Sequence, residues 1–241
     1  NWFWHLHNRR DGDWQSFQFP TSANPYIAPS EIEAAKGDMS EIVFRQEYLA
    51  EFVDNEGVVF RRVRECATSE AVESYAAAPA QYIAAVDPAT AQDYTAVCVM
   101  DVERKAQVYL DRFNRVDYPV LQDRLKSLTR RYNISRLRIE INGIGRPVFD
   151  ALAAAGLPVE AFTTTNATKS AIIQGLMSAF EHGEIAILDD RTQIAELLSF
   201  EARKSPSGAV TYSAPDGVHD DTVMALAMAL DMIETQPWLM A

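Results

Sequence analysis

The chain has 241 residues, 48% of them hydrophobic and 23% charged, which excludes a disordered or fibrous polymer and leaves room for one large domain or a domain with an attachment. The formal net charge of −12 argues against a protein that grips nucleic acid over its whole surface. No apolar run approaches the roughly 20 residues of a membrane span, and the two cysteines, Cys66 and Cys98, lack a CxxC pair or nearby histidines, so neither a membrane protein, a zinc site nor a disulfide framework is expected.

The opening residues lack a clear period and do not start on Met, so the chain is expected to begin partway through a longer protein. Phe17–Ala28 reads as extended around Pro20 and Pro25, Pro29-Ser30 offers an N-cap for a helix from about Glu31, and a second helix follows near Glu41–Phe52. Asp54–Gly57 is a turn. Cys66–Pro79, rich in Ala, Ser and Glu, reads as a linker, which places a boundary between a small, partly helical segment over 1–75 and a domain over 76–241.

Three strand-like runs then follow, Tyr82–Asp87, Thr95–Val102 and Gln107–Phe113. Leu121, Leu125, Leu128 and Tyr132 recur at helical spacing over Tyr118–Tyr132. After them come a strand over Leu137–Ile141, a helix from about Pro147 to Ala155, a strand over Val159–Phe162, a helix over Ser170–Glu181, a short strand over Ile185–Leu188 and a helix over Gln193–Ser199. Phe200–Lys204 and Ala209–Ser213 flank Ser205–Gly208 as a β-hairpin standing off the sheet, and Val218 leads into a last helix through about Ile233. Strands followed by alternating helix and strand mark an α/β domain with a sheet flanked by helices.

Three acids in this order carry the chemistry. Asp87 closes the first strand, Glu140 ends the fourth, and His219-Asp220-Asp221 opens the last helix, where the helix dipole favours anions. Acids at the same end of neighbouring parallel strands lie within reach of a shared cation. Any one of them alone is more commonly a solvated loop acid, and Asp220 alone more commonly a helix cap. Together they form a hard-oxygen set suited to Mg²⁺ or Mn²⁺, and paired ions of that kind hydrolyse phosphodiesters.

The segments Ala85-Val86-Asp87-Pro88-Ala89 with Asp93-Tyr94-Thr95, Arg138-Ile139-Glu140 with Asn142-Gly143, and Gly217-Val218-His219-Asp220-Asp221 resemble the nuclease domain of the large terminase subunit of tailed phages, a ribonuclease H-like fold. The stretches Asn24–Ile27 and Gln46–Phe52 are similar to the end of the packaging ATPase domain of the same family. The resemblance implies an endonuclease that cuts double-stranded DNA concatemers during packaging. It implies Asp87, Glu140 and Asp221 as catalytic, metal-binding acids, Asp93 and Asp220 as further metal-binding acids, two Mg²⁺ or Mn²⁺ ions, and accessory roles for His219 and Lys169. It also implies the rest of the ATPase, a portal protein and a small terminase subunit as partners, and the host cytoplasm as location. No GxxxxGK[ST] loop occurs, so ATP hydrolysis by this chain is not expected.

Arg203 and Lys204 on the hairpin are candidates to touch DNA, whereas Arg124, Lys126, Arg130, Arg131, Arg136 and Arg138 read first as a solvated face. Two rival readings stand beside the nuclease. An actin-like or sugar-kinase phosphotransferase would use Asp87 with Thr95 but needs glycines that the loop lacks. A noncatalytic docking module of the packaging motor would have no need of the acids.

Overall fold

The computed structural model describes residues 6–7, 9, 12, 14–39, 41–51, 59–74, 81–89, 93–204, 210–215 and 217–235. Near the N-terminus a 3-10 turn at Thr21–Ala23 precedes α1 (Pro29–Asp38) and α2 (Glu41–Glu47). α1 starts on Pro29 itself, whose fixed φ suits the first helical position, so Ser30 sits inside the helix and not at the expected cap. α2 stops short of the expected Phe52, with Ala50 in the left-handed region at φ 54°. The turn expected at Asp54–Gly57 lies outside the described residues.

The main body is a five-stranded mixed sheet built from β1 (Tyr82–Asp87), β2 (Thr95–Asp101), β3 (Ala106–Phe113), β4 (Arg136–Glu140) and β5 (Val159–Phe162), in the order β3-β2-β1-β4-β5. β1–β2 and β2–β3 are antiparallel, while β1–β4 and β4–β5 are parallel. The two central runs, YIAAVD and TAVCVMD, are apolar almost throughout because helices cover both faces. This is the expected α/β class.

One face is covered by α3 (Tyr118–Tyr132) and α4 (Gly145–Ala154). Leu121, Leu125, Leu128 and Tyr132 are the buried stripe of α3, which ends on Asn133 in the left-handed conformation. The opposite face is covered by α5 (Asn166–His182), α6 (Arg191–Ser199) and α7 (Asp221–Glu234). α5 starts with a Thr165/Thr168 capping box and stops at Gly183, φ 70°. Twelve of the fourteen residues of α7 are buried, so it is apolar nearly all round and carries no directional stripe. Among the described residues no helix is long and apolar enough to cross a membrane.

Two expected elements differ. Ile185–Leu188 forms single parallel bridges, Ala186 to Ala106 and Leu188 to Ser69, and no ladder. The described part of the expected linker, Cys66–Ser74, packs on the α/β core: Cys66 is buried beside α5, as are Val59, Phe60 and Val63 of the segment before it, Ile187 N–H donates to the Cys66 carbonyl, and the Tyr132 hydroxyl donates to the Val72 carbonyl. Backbone pairing, invisible in its Ala/Ser/Glu composition, holds it there. The hairpin β6 (Glu201–Lys204) and β7 (Val210–Ser213) is a separate antiparallel pair, yet Ala202, Val210 and Tyr212 pack against the core.

Candidate active site

Strand alternation sets the site. In β1, Ile83 and Ala85 point to the α7 face, and Asp87 continues that series. In β4, Leu137 and Ile139 point the other way, which leaves Arg138 and Glu140 on the α7 face. Val86 pairs with Ile139 in parallel, so Asp87 and Glu140 end adjacent strands side by side. Across the sheet Asp87 pairs with Ala96 and Ala96 with Arg112, making a row Arg112–Ala96–Asp87–Glu140 on one face. Ala96, at the middle of the row, takes little space. Gly145 closes the turn after β4: a Cβ there would lie 1.7 Å from the Glu140 carbonyl oxygen, so only glycine allows α4 to start so close behind that acid.

The start of α7 faces this row. Asp221 is its first residue and Asp220 precedes it without capping the helix. His219 Nδ1 lies 2.8 Å from Asp93 Oδ1 and 3.9 Å from Asp221 Oδ2, and its ring meets Tyr94 edge-on at 5.0 Å. One donor atom each from Asp93, His219 and Asp221 falls within a mutual 4.8 Å, a spacing that suits a metal ion. Asp220 is paired with Lys169 Nζ at 2.9 Å. Arg112 lies over the Tyr94 ring at 3.5 Å and reaches Asp221 Oδ2 at 3.5 Å.

Like charges crowd here. Burial pushes the Asp87 carboxyl well above the usual carboxylate range, aided by its hydrogen bond with Glu140 and by the charges of Glu140, Asp221 and Asp220. Asp221 is pushed up to about 7, first by burial, then by Asp93 and Glu196, against the opposing pull of Arg112 and His219. Acids this short of water must hold protons or find cations, and together with one imidazole they form a donor set that fits divalent metal ions.

Residues 84–233 match the family described as Terminase RNaseH-like domain. The chain belongs to this terminase family. The chain is 31% identical over 207 residues to the "Terminase, large subunit" of Thermus virus P23-45, spanning 80% of this chain and 42% of that protein. The large terminase nuclease of phage G20c with bound magnesium superposes with a TM-score of 0.62 at 28% identity, covering 67% of this chain and 85% of that one, and the same nuclease with bound cobalt gives the same values. The large terminase of another thermophilic bacteriophage shares the fold over 93% of this chain and 57% of its own, at 11% identity and a TM-score of 0.71.

In this terminase domain the sequence-predicted acids Asp87, Glu140, Asp220, Asp221 and Asp93 all fall at one end of the sheet, with His219 and Lys169 beside them. Arg203 is exposed on β6 and paired with Glu201 at 3.1 Å, and the Lys204 side chain lies outside the described residues. Arg136 and Arg138, read from sequence with a solvated face, instead tie β4 to α7: Arg136 donates to the Met232 carbonyl at 3.0 Å, and Arg138, 9% exposed, pairs with Asp231. Sequence reasoning missed Arg112, Glu196 and Gly145. Alternation along β3 puts Arg112 on the α7 face, but only the pairing with Ala96 brings it to the acids.

Proposed function

We propose that this terminase domain is a divalent-metal-dependent endonuclease that cuts double-stranded DNA concatemers during viral genome packaging. The supporting observation is the juxtaposition of Asp87 and Glu140, on adjacent parallel strand ends, with Asp221, Asp93 and His219 at the start of α7. Magnesium or manganese ions, two in number, would be held by Asp87, Glu140 and Asp221 with Asp93, Asp220 and His219, and would supply Lewis-acid stabilisation of phosphodiester hydrolysis. The metal-bound G20c nuclease structures support the choice of divalent ions.

The chain's own residues divide the rest of the work. Burial keeps the carboxylates of Asp87 and Asp221 short of water, which strengthens their attraction for cations. Lys169, held beside the site by Asp220, offsets the charge of an incoming phosphate. Arg203 and Lys204 on the hairpin contact the DNA backbone. The chain spans 42% of the length of the Thermus virus relative, and the rest of a packaging ATPase, a portal protein and a small terminase subunit complete the assembly, working in the host cytoplasm.

Supercoiled plasmid incubated with Mg²⁺, Mn²⁺ or chelator tests this reading beside Asp87→Asn and Asp221→Asn. Linear product that needs metal and disappears in both variants is expected. Cutting that survives both substitutions overturns the acid site, and a folded chain that never cuts favours the docking module.

A further inference from the structure

Arg112 stands between two acids. Its Nη2 is 3.5 Å from Asp221 Oδ2 and its Nε is 3.2 Å from Glu196 Oε1, with the side chain 19% exposed. Both Arg112 Nε and Glu196 Oε1 are buried, and neither completes an aligned hydrogen bond, so this contact is a slack ion pair. The other oxygen of Glu196 is held firmly. Oε2 accepts from the Thr222 backbone N–H at 2.9 Å and from the Thr222 hydroxyl at 2.5 Å, inside the first turn of α7. One carboxylate on α6 therefore fixes the helix start that carries Asp221 and also faces the cation beside Asp221.

We propose that Glu196 is a positioning residue for the metal-binding acids, drawing the Arg112 guanidinium partly off Asp221 so that Asp221 keeps an oxygen available to a divalent cation. This rests on the metal-dependent reading above. Two acids compete for one guanidinium, and the competition has a sign. With Glu196 neutral, Asp221 is the acid left within 4 Å of Arg112 among the described residues, the pair tightens, and a metal ion must displace it. Without Arg112, no guanidinium competes with the metal ion for Asp221. Glu196→Gln should therefore weaken metal binding and Arg112→Met strengthen it, whereas a residue that only stabilised the fold would lower Tm in both variants and leave the affinity of the folded chain alone.

Mn²⁺ binding to the whole 241-residue chain, read by calorimetry and by the free-ion electron paramagnetic resonance signal, decides between these accounts. The expected result is roughly fivefold weaker binding for Glu196→Gln, roughly threefold tighter binding for Arg112→Met, and a double variant that follows Arg112→Met. Thr222→Val, which drops one donor to Glu196 but keeps its charge, should lower Tm with affinity unchanged. Shifts of the same sign in the two single variants, or no shift in either, overturn the proposal while leaving the metal site standing. Should Glu196→Gln fail to fold, looser or unchanged binding in Arg112→Met overturns it alone. An unaltered chain that binds no Mn²⁺ removes the metal reading and this inference with it.

Discussion

Among the described residues the α7 face of the central sheet carries the larger cluster of buried apolar side chains, and the two faces differ in what else they bury. Under α3 and α4 the sheet presents Tyr82, Ala84, Val86, Val97, Val99 and Val108, and the buried acid in that alternation, Asp101, sits at the far end of β2, where it accepts from the Glu103 and Arg104 backbone N–H groups. Under α7 the sheet presents small residues, Ala85, Ala96 and Cys98, and the buried polar set on that side includes Arg138, Glu196 and Asp221. Burying charge costs free energy unless it is paired, so the second face carries internal repulsion that the first does not. Both faces stabilise the fold by apolar burial, and on the α7 face that gain is partly offset by holding carboxylates apart from water.

Truncation on the apolar face should separate these contributions most sharply. Leu125, 1% exposed in the middle of the α3 stripe, loses roughly 3–4 kcal/mol of stability on Leu125→Ala, through lost transfer and the cavity left behind. Denaturant unfolding measures that loss, and the folded fraction should bind Mn²⁺ as the unaltered chain does. Gly145→Ala comes next. The added methyl meets the Glu140 backbone and not a flexible side chain, so it costs about 2–3 kcal/mol and shifts the end of β4. Unlike Leu125→Ala, it should weaken metal binding as well, because the displaced backbone carries one of the acids. Equal metal affinity in the two variants would erase the distinction between the faces.

The acid face also predicts a pH dependence of opposite sign to the usual carboxylate case. Asp221 moves from an ordinary 3.8 to about 7 in the folded chain, so the folded state holds the proton more tightly than the unfolded one. Its contribution to stability is greatest below about pH 4 and is lost as pH rises toward about 7. The groups that set it are Asp93, Glu196, Arg112 and His219. With chelator present, the loss across that window should be on the order of 2 kcal/mol, and Asp221→Asn should flatten it. Mn²⁺ should restore stability at the upper end of the window, since metal binding displaces the proton.

Sequence alone revealed the apolar face better than the acid face. The leucine spacing places α3 at Tyr118–Tyr132, the observed bounds, because an amphipathic stripe reports both the element and its buried side. α7 was found as a helix, but being apolar nearly all round it gave no sign of what it covers. The positions of Asp87, Glu140 and Asp221 at strand ends and a helix start were legible because each closes or opens an apolar run. Arg112 and Glu196 were not, since their meeting depends on the Ala96 pairing and on where α6 lies against β3. The contacts of Cys66–Ser74 were hidden for a related reason: Ser69 N–H donates to the Ile187 carbonyl and Val72 N–H to the Val108 carbonyl, and backbone hydrogen bonds leave no mark on composition.

The smallest effect belongs to the hairpin, outside both faces of the sheet. Arg203 is half exposed and its pair with Glu201, at 3.1 Å, spans neighbours on one strand, so Arg203→Ala should change stability by less than about 0.5 kcal/mol. Metal affinity should be untouched, because neither the acids nor Arg112 contacts that side chain. A backbone contact to DNA has a different signature. It neutralises one phosphate charge, and its removal lowers the slope of log affinity against log salt by about 1 regardless of DNA sequence. Binding of a short duplex to the Asp221→Asn variant, which is not expected to cut, gives that slope with and without Arg203. A slope that stays the same assigns Arg203 to its ion pair with Glu201 and takes the hairpin out of the DNA path, while a reduced slope with an unchanged Mn²⁺ affinity separates DNA grip from the carboxylate site.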